Sequence, residues 1–149
     1  MQHEVSHDQI TFVKYFKYQN ITSSSPPRWQ ASFQRKHPDA KVPKHFQGLF
    51  SPSFLGDQDI PLTSVKLIVG LHPDEATEPI FSTALELGLP FAVIPCCVFA
   101  ASFPNRRLKD GSSPSSYEQF LRYLKEKDLR LQDERLPFLG KNTVVFLKS

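Results

Sequence analysis

Residues Val65 to Phe99 read VKLIVGLHPDEATEPIFSTALELGLPFAVIPCCVF. Three patterns follow one another in this stretch. VKLIVGL is a continuous apolar run, as expected of a strand covered on both faces. HPDEATEPIFSTALELG then turns helical, with Ile80, Ala84 and Leu87 at helix spacing. Thr77 and Asp74 both offer an N-cap oxygen, and Pro79 close behind favours Thr77. Gly88 stands just past the last helical turn, where a left-handed residue is wanted. PFAVIPC is a second buried strand. Strand, helix and strand over about thirty residues make a βαβ unit, which is right-handed and parallel in nearly all cases.

Further along the chain, SSYEQFLRYLKEKD (115–128) reads as a second helix with Phe120, Leu121 and Leu124 toward the core. Serine leads it and lysines close it, as the helix dipole prefers. LRLQDERLPF and NTVVFLKS then pair through LGKN as a closing hairpin. The expected strands lie near 65–71, 91–96, 130–137 and 143–148, and the helices near 76–87 and 115–127. The fold class is therefore α/β: the C-terminal half of a doubly wound, Rossmann-like sheet, β-α-β-α-β-β, with the last strand antiparallel. Many methyltransferase domains finish this way.

Residues 1–64 read as an irregular N-terminal segment holding at most one short strand, and 65–149 as the half-domain. ITFVKYFKYQ fits either a short helix or an alternating strand. TSSSPPRWQ (22–30) is a loop by composition. KVPKHFQGLFSPSF could hold a short strand ending near Phe50. These residues are too few and too proline-broken for the usual first half of such a sheet. An incomplete sheet edge there is expected to favour association with itself or with another chain.

The chain has 149 residues, 40% hydrophobic and 22% charged, with 13 prolines against 6 glycines. That is the globular range. No apolar run is long enough for a membrane span. The start, MQHEVSHDQI, is too polar for a secretory signal. The expected setting is reducing and intracellular, cytoplasmic or nuclear. The net charge of +3 hides an asymmetry. Residues 1–50 carry 7 Lys/Arg and 3 acids, 51–95 carry 1 and 6, and 96–149 carry 10 and 6. A basic–acidic–basic layout permits anionic partners such as RNA, or is simply a mixed solvated surface.

In an open parallel sheet, ligands bind beyond the carboxyl ends of the strands. Two segments occupy that edge: GLHPDEAT after the first strand and PCCVF after the second. Cys96 and Cys97 are the only cysteines in the chain. While a strand lasts, neighbouring side chains point to opposite faces, so one thiol should pack into the core and the other should face a pocket. A structural zinc site takes four N or S ligands, commonly in spaced pairs. Two adjacent cysteines and scattered histidines do not supply that, and no metal is assigned. His72 reads equally as a turn-bracing histidine or as a pocket residue beside Asp74. The acids of DEATE suit a helix start without a functional role. The loop AASFPNRRLKDGSSPSS (100–116) leaves the same edge and is long for a compact domain. Its Arg106, Arg107 and Lys109 are candidate phosphate contacts, or a solvated basic loop.

VGLHPDEATEPIFSTALELGLPFAVIPCCVF, SYEQFLRYLKEKD and LPFLGKN together resemble an uncharacterised family of eukaryotic SAM-dependent methyltransferase-like proteins. The pattern of that family reads V-G-L-H-P-D-x-A-T, then P-F-x-V-V-P-C-C-V-F, then a Y-E-Q-F helix. The G-x-H and C-C elements are remotely similar to those of tRNA methyltransferase domains. The resemblance covers about residues 43–149. It implies a SAM-dependent methyltransferase-like protein with RNA as a candidate substrate, and S-adenosylmethionine as cofactor. It also implies that Gly70, His72, Asp74, Pro95, Cys96 and Cys97 line the methyl-transfer pocket.

One element of that family pattern is missing. SAM-binding domains open with a strand and a glycine-rich turn that lets backbone approach the cofactor. Gly48, Gly56, Gly70, Gly88, Gly111 and Gly140 are the six glycines, and none lies within two residues of another. The acid that binds the ribose cannot be assigned either. The expectation is an incomplete cofactor site with weak or no SAM binding. The alternative is a non-catalytic binding or partner protein that retains half of the fold. A third reading is a thiol or metal protein resting on Cys96, Cys97 and His72.

Overall fold

A computed structural model describes residues 11–12, 28–39, 50–51, 53 and 65–148. Its elements are β1 (Thr11–Phe12), α1 (Arg28–Lys36), β2 (Ile68–Leu71), α2 (Thr77–Glu86), β3 (Phe91–Ile94), α3 (Tyr117–Lys125), β4 (Gln132–Arg135) and β5 (Thr143–Leu147). They build one mixed sheet of order β1-β2-β3-β5-β4. β1, β2 and β3 run parallel, and β5 lies antiparallel between β3 and β4. This is an α/β architecture in which the β4–β5 hairpin closes the sheet.

The βαβ unit forms where its periodicities place it. β2 pairs with β3 from Ile68↔Phe91 to Leu71↔Ile94. α2 crosses between them, burying Ile80, Phe81 and Ala84. Its end is a Schellman motif. Leu89 N–H donates to the Ala84 carbonyl at 2.8 Å and Gly88 N–H to that of Leu85 at 3.3 Å, with Gly88 left-handed at φ 64°. Glycine accepts that conformation without a Cβ penalty. α3 starts on a capping box: the Ser116 hydroxyl accepts from Gln119 N–H while the Gln119 side chain accepts from Ser116 N–H.

The core gathers alternate strand residues and one stripe of each helix. Ile68, Phe91, Val93, Val145 and Leu147 come from the sheet, and Ile80, Phe81, Ala84, Phe120 and Leu124 from α2 and α3. Phe81 and Phe91 meet edge to face at 4.7 Å. Each fully buried side chain of this size contributes roughly 1.5–3 kcal/mol. Gly70 is required by this packing. A Cβ there would sit 2.9 Å from Ile80 Cδ1 and 3.3 Å from Val93 Cγ2.

Several sequence expectations change in detail. β3 stops at Ile94 rather than 96, because Pro95 has no N–H for the ladder. The first strand begins at Ile68 rather than 65. Thr77 is the first residue of α2, not its N-cap. A 3₁₀ turn, Asp74–Ala76, leads into the helix, and the Thr77 hydroxyl donates to the Asp74 carbonyl at 2.7 Å. α1 takes in Arg28, Trp29 and Gln30, which composition assigned to a loop. Thr11–Phe12 is strand where helix and strand were both open. Phe50 is buried and in no strand, and the residues before it, where a short strand was expected, lie outside the described residues, as does the rest of the N-terminal reading. Among the described residues, no helix is long and apolar enough to cross a membrane.

Candidate functional site

The ends of β2 and β3 are tied by His72 N–H, which donates to the Ile94 carbonyl at 3.0 Å. That bond extends the parallel ladder by one step and holds the HPD turn against the PCC turn. Three non-glycine residues in these two turns have positive φ: His72 (47°), Asp74 (52°) and Phe99 (49°). Left-handed backbone is uncommon outside glycine, and His and Asp are among the residues that tolerate it. Here it lets the chain reverse twice within a few residues of the sheet edge. Pro73 and Pro95 are fully buried and form the floor beneath.

On that floor the two thiols and one carboxylate converge. Cys96 Sγ donates to Asp74 Oδ1 at 3.0 Å. One ligating atom each from Asp74, Cys96 and Cys97 lie within 4.8 Å of one another. Burial pushes the Cys96 thiol up to about 12, and the hydrogen bond to Asp74 and the charge of its carboxylate push the same way. Cys96 is half-buried and Cys97 exposed. The expected division, one cysteine in the core and one in a pocket, does not occur. The strand has already ended at Ile94, so strand alternation no longer separates the two side chains.

Two further residues enter, Lys141 from the β4–β5 turn and Tyr117 from the start of α3. Val93 pairs with Val145, so the antiparallel register carries the 140–143 turn to the end of β3. Lys141 Nζ donates to the Cys96 carbonyl and sits 4.9 Å from the Tyr117 ring centre. The Tyr117 hydroxyl is buried and makes no well-formed hydrogen bond among the described residues. Burial raises its pKa, Thr143 opposes the rise, and the Cys96 charge adds to it. Sequence reasoning missed Lys141 and Tyr117. For Lys141 the signal was available: an inserted antiparallel last strand must bring its leading turn back to this edge.

The candidate residues separate into two groups. His72, Asp74, Cys96 and Cys97 share the carboxyl edge, with His72 exposed. Gly70 and Pro95 are buried beneath them and serve packing rather than contact with a ligand. Arg106 is not a phosphate contact. It is 5% exposed, its Nε meets Glu78 Oε2 at 2.5 Å, and it also donates to the Val98 carbonyl. The guanidinium stacks over Phe103 at 4.0 Å and Phe120 at 4.7 Å. Arg107 braces its own loop, donating to the Pro104 and Arg106 carbonyls and to Ser113 Oγ. Lys109 lies beside a shallow groove with Arg122 and Lys125, but also with Glu118, Glu126 and Asp133. The charges there are mixed, so the groove is no phosphate comb.

Glu78 is a second residue whose importance the sequence hid. It pairs with Arg106, accepts from Tyr123 Oη at 2.5 Å, and meets Lys127 Nζ at 2.9 Å. Burial pushes its carboxyl up, but the hydrogen bonds from Tyr123, Lys127 and Arg106 outweigh that and hold it below 4.5. No family model, curated protein or solved structure matches the chain.

Proposed function

We propose that the chain is a SAM-dependent methyltransferase-like α/β domain with an incomplete cofactor site and RNA as its substrate class. The observation that carries this reading is the sheet order, with antiparallel β5 inserted between β3 and β4. Many methyltransferase domains finish with that arrangement. The convergence of Asp74, Cys96 and Cys97 at the carboxyl edge of β2 and β3, which the His72 backbone ties together, supports a ligand site there. The basic flanks of the chain support an anionic substrate.

The residues present do not fit SAM. β1 lies parallel to β2, next to it in the sheet, where a cofactor strand would stand. It is followed in sequence by Val13, Lys14 and Tyr15, not by a glycine-rich turn. Gly70, at the end of β2, is closed off by Ile80, Pro73 and Val93. No methyl-transfer step is therefore derived. The same observation favours a second reading, a non-catalytic binding or partner protein built on this half-sheet.

Calorimetric titration of the purified chain with SAM tests the cofactor part of the reading. No saturable heat is expected up to about 1 mM. Micromolar binding would show a complete site and overturn the reading. A labelled RNA hairpin, followed by fluorescence anisotropy, should bind at low salt and weaken as salt rises. An RNA that stays free at low salt removes RNA as the substrate class and leaves the partner-protein reading.

A further inference from the structure

The HPD and PCC turns bring together two soft donors and one hard donor that are 22 residues apart in the chain. We propose that Asp74, Cys96 and Cys97 form a three-ligand site for a thiophilic divalent cation of the zinc type, with a fourth position open to water or a substrate atom.

Distance is the first argument. Zinc–sulfur bonds of about 2.3 Å and zinc–oxygen bonds of about 2.0–2.2 Å place tetrahedral ligand atoms roughly 3.5–3.8 Å apart. Cys96 Sγ and Asp74 Oδ1 stand at 3.0 Å, and the whole set lies within 4.8 Å. Movements of about 1 Å or less, within reach of side-chain rotation, convert one arrangement to the other.

The donor set is the second. Magnesium and calcium ask for oxygen ligands throughout, whereas thiolates select zinc and its soft neighbours. Two thiolates and one carboxylate carry three negative charges, which a divalent ion reduces to one. On binding, the two thiol protons leave to solvent. The sulfur lone pairs and one Asp74 oxygen then bond to the ion, and the Cys96–Asp74 hydrogen bond is given up.

Backbone geometry is the third. Asp74 itself is left-handed, and His72 and Phe99 on either side of the two turns are as well. Strained non-glycine backbone of this kind clusters at ligand clamps. Lys141 holds the carbonyl of Cys96 from the hairpin side, which braces the backbone that carries the thiol. Three protein ligands and an exposed Cys97 leave the site open on one side, the pattern of a reactive rather than a structural centre. His72 is not part of the group.

Cobalt(II) is the probe. The reduced full chain, titrated under argon, should develop thiolate-to-cobalt charge-transfer absorption and tetrahedral ligand-field bands that saturate at one equivalent. Zinc(II) should erase them. Asp74→Asn and Cys97→Ser should each weaken cobalt binding by at least about tenfold, with far-UV circular dichroism confirming that each variant is folded. A wild-type chain with no charge-transfer band at saturating cobalt overturns the proposal, whatever the variants do. So does an Asp74→Asn chain that binds as tightly as wild type, since a bare dithiol would then account for the signal. The proposal does not rest on the methyltransferase-like reading, and SAM binding bears on neither outcome.

Discussion

Cys96 and Cys97 are chain neighbours with different chemistry. Cys96 donates to Asp74 and its thiol is pushed up to about 12 by burial and by that carboxylate, from an ordinary 9.0. Thiolate is the reactive form, so at neutral pH Cys96 carries far less of it than an ordinary thiol. Cys97 is exposed. In metal-free buffer, iodoacetamide should therefore label Cys97 first, with Cys96 slower by roughly tenfold or more. Asp74→Asn should speed Cys96, because both the hydrogen bond and the negative charge are lost. Peptide mass spectrometry over a time course reads both rates. Equal labelling of the two in wild type would mean that the Asp74 contact does not hold in solution. Gly70 belongs to the same scale with the opposite lesson. It stands among candidate pocket residues in the sequence, yet the methyl group of Ile80 occupies the space its Cβ would need.

The 99–116 segment shows how an element can be built without a helix or a strand. Arg106 reaches back to Glu78 at the start of α2 and lies over Phe120 of α3. Leu108 and Pro114 are buried in the same loop. What composition offers as a solvated basic loop is thus clipped to both helices. Arg106→Ala should destabilise the domain by roughly 1–3 kcal/mol, because it removes a buried guanidinium from Glu78 and from the Phe103 and Phe120 rings, while Lys127 and Tyr123 still meet Glu78. Urea denaturation followed by circular dichroism measures this, and a loss within experimental error would show that the clip is not structural. Glu78 also sets an acid limb. Its folded pKa lies below the ordinary 4.5, held there by Tyr123, Lys127 and Arg106 against burial. The stability it contributes is therefore complete above the unfolded value and lost as pH falls through the lower, folded one. Glu78→Gln should flatten the stability profile below about pH 4.5 relative to wild type. A parallel profile would assign the acid limb to other carboxylates. Within these elements much was legible. Gly88 and the Ser116–Gln119 box depend on residues a few positions apart, so local sequence suffices to place them. The Arg106–Glu78 pair spans 28 residues, and no local pattern announces it.

At the scale of the molecule, the sheet has one long-range decision, the insertion of β5 between β3 and β4. It makes β4 an edge. Gln132, Asp133, Glu134 and Arg135 are all exposed, and such charge discourages pairing with another chain. Replacing Gln132 and Glu134 with valine, on one face of that strand, should make sedimentation more concentration-dependent than that of wild type. Identical sedimentation would show that edge charge is not what guards β4. The same insertion brings Lys141 and Thr143 to the end of β3 and so completes the candidate site. By itself the sequence determined the βαβ unit, two helices near 76–87 and 115–127, the closing hairpin and the edge on which His72, Asp74, Cys96 and Cys97 lie. Each of these follows from periodicity, caps or turn residues within a dozen positions. Only the tertiary structure decided which of those residues meet. Both thiols reach Asp74 because Pro95 ends the ladder before strand alternation could part them. Arg106 is buried because the Glu78 carboxylate of α2 and the Phe120 and Tyr123 rings of α3, together with Phe103 of its own loop, surround it. Contacts of that kind depend on where whole elements pack, and that is set by the shared core rather than by any one stretch of chain.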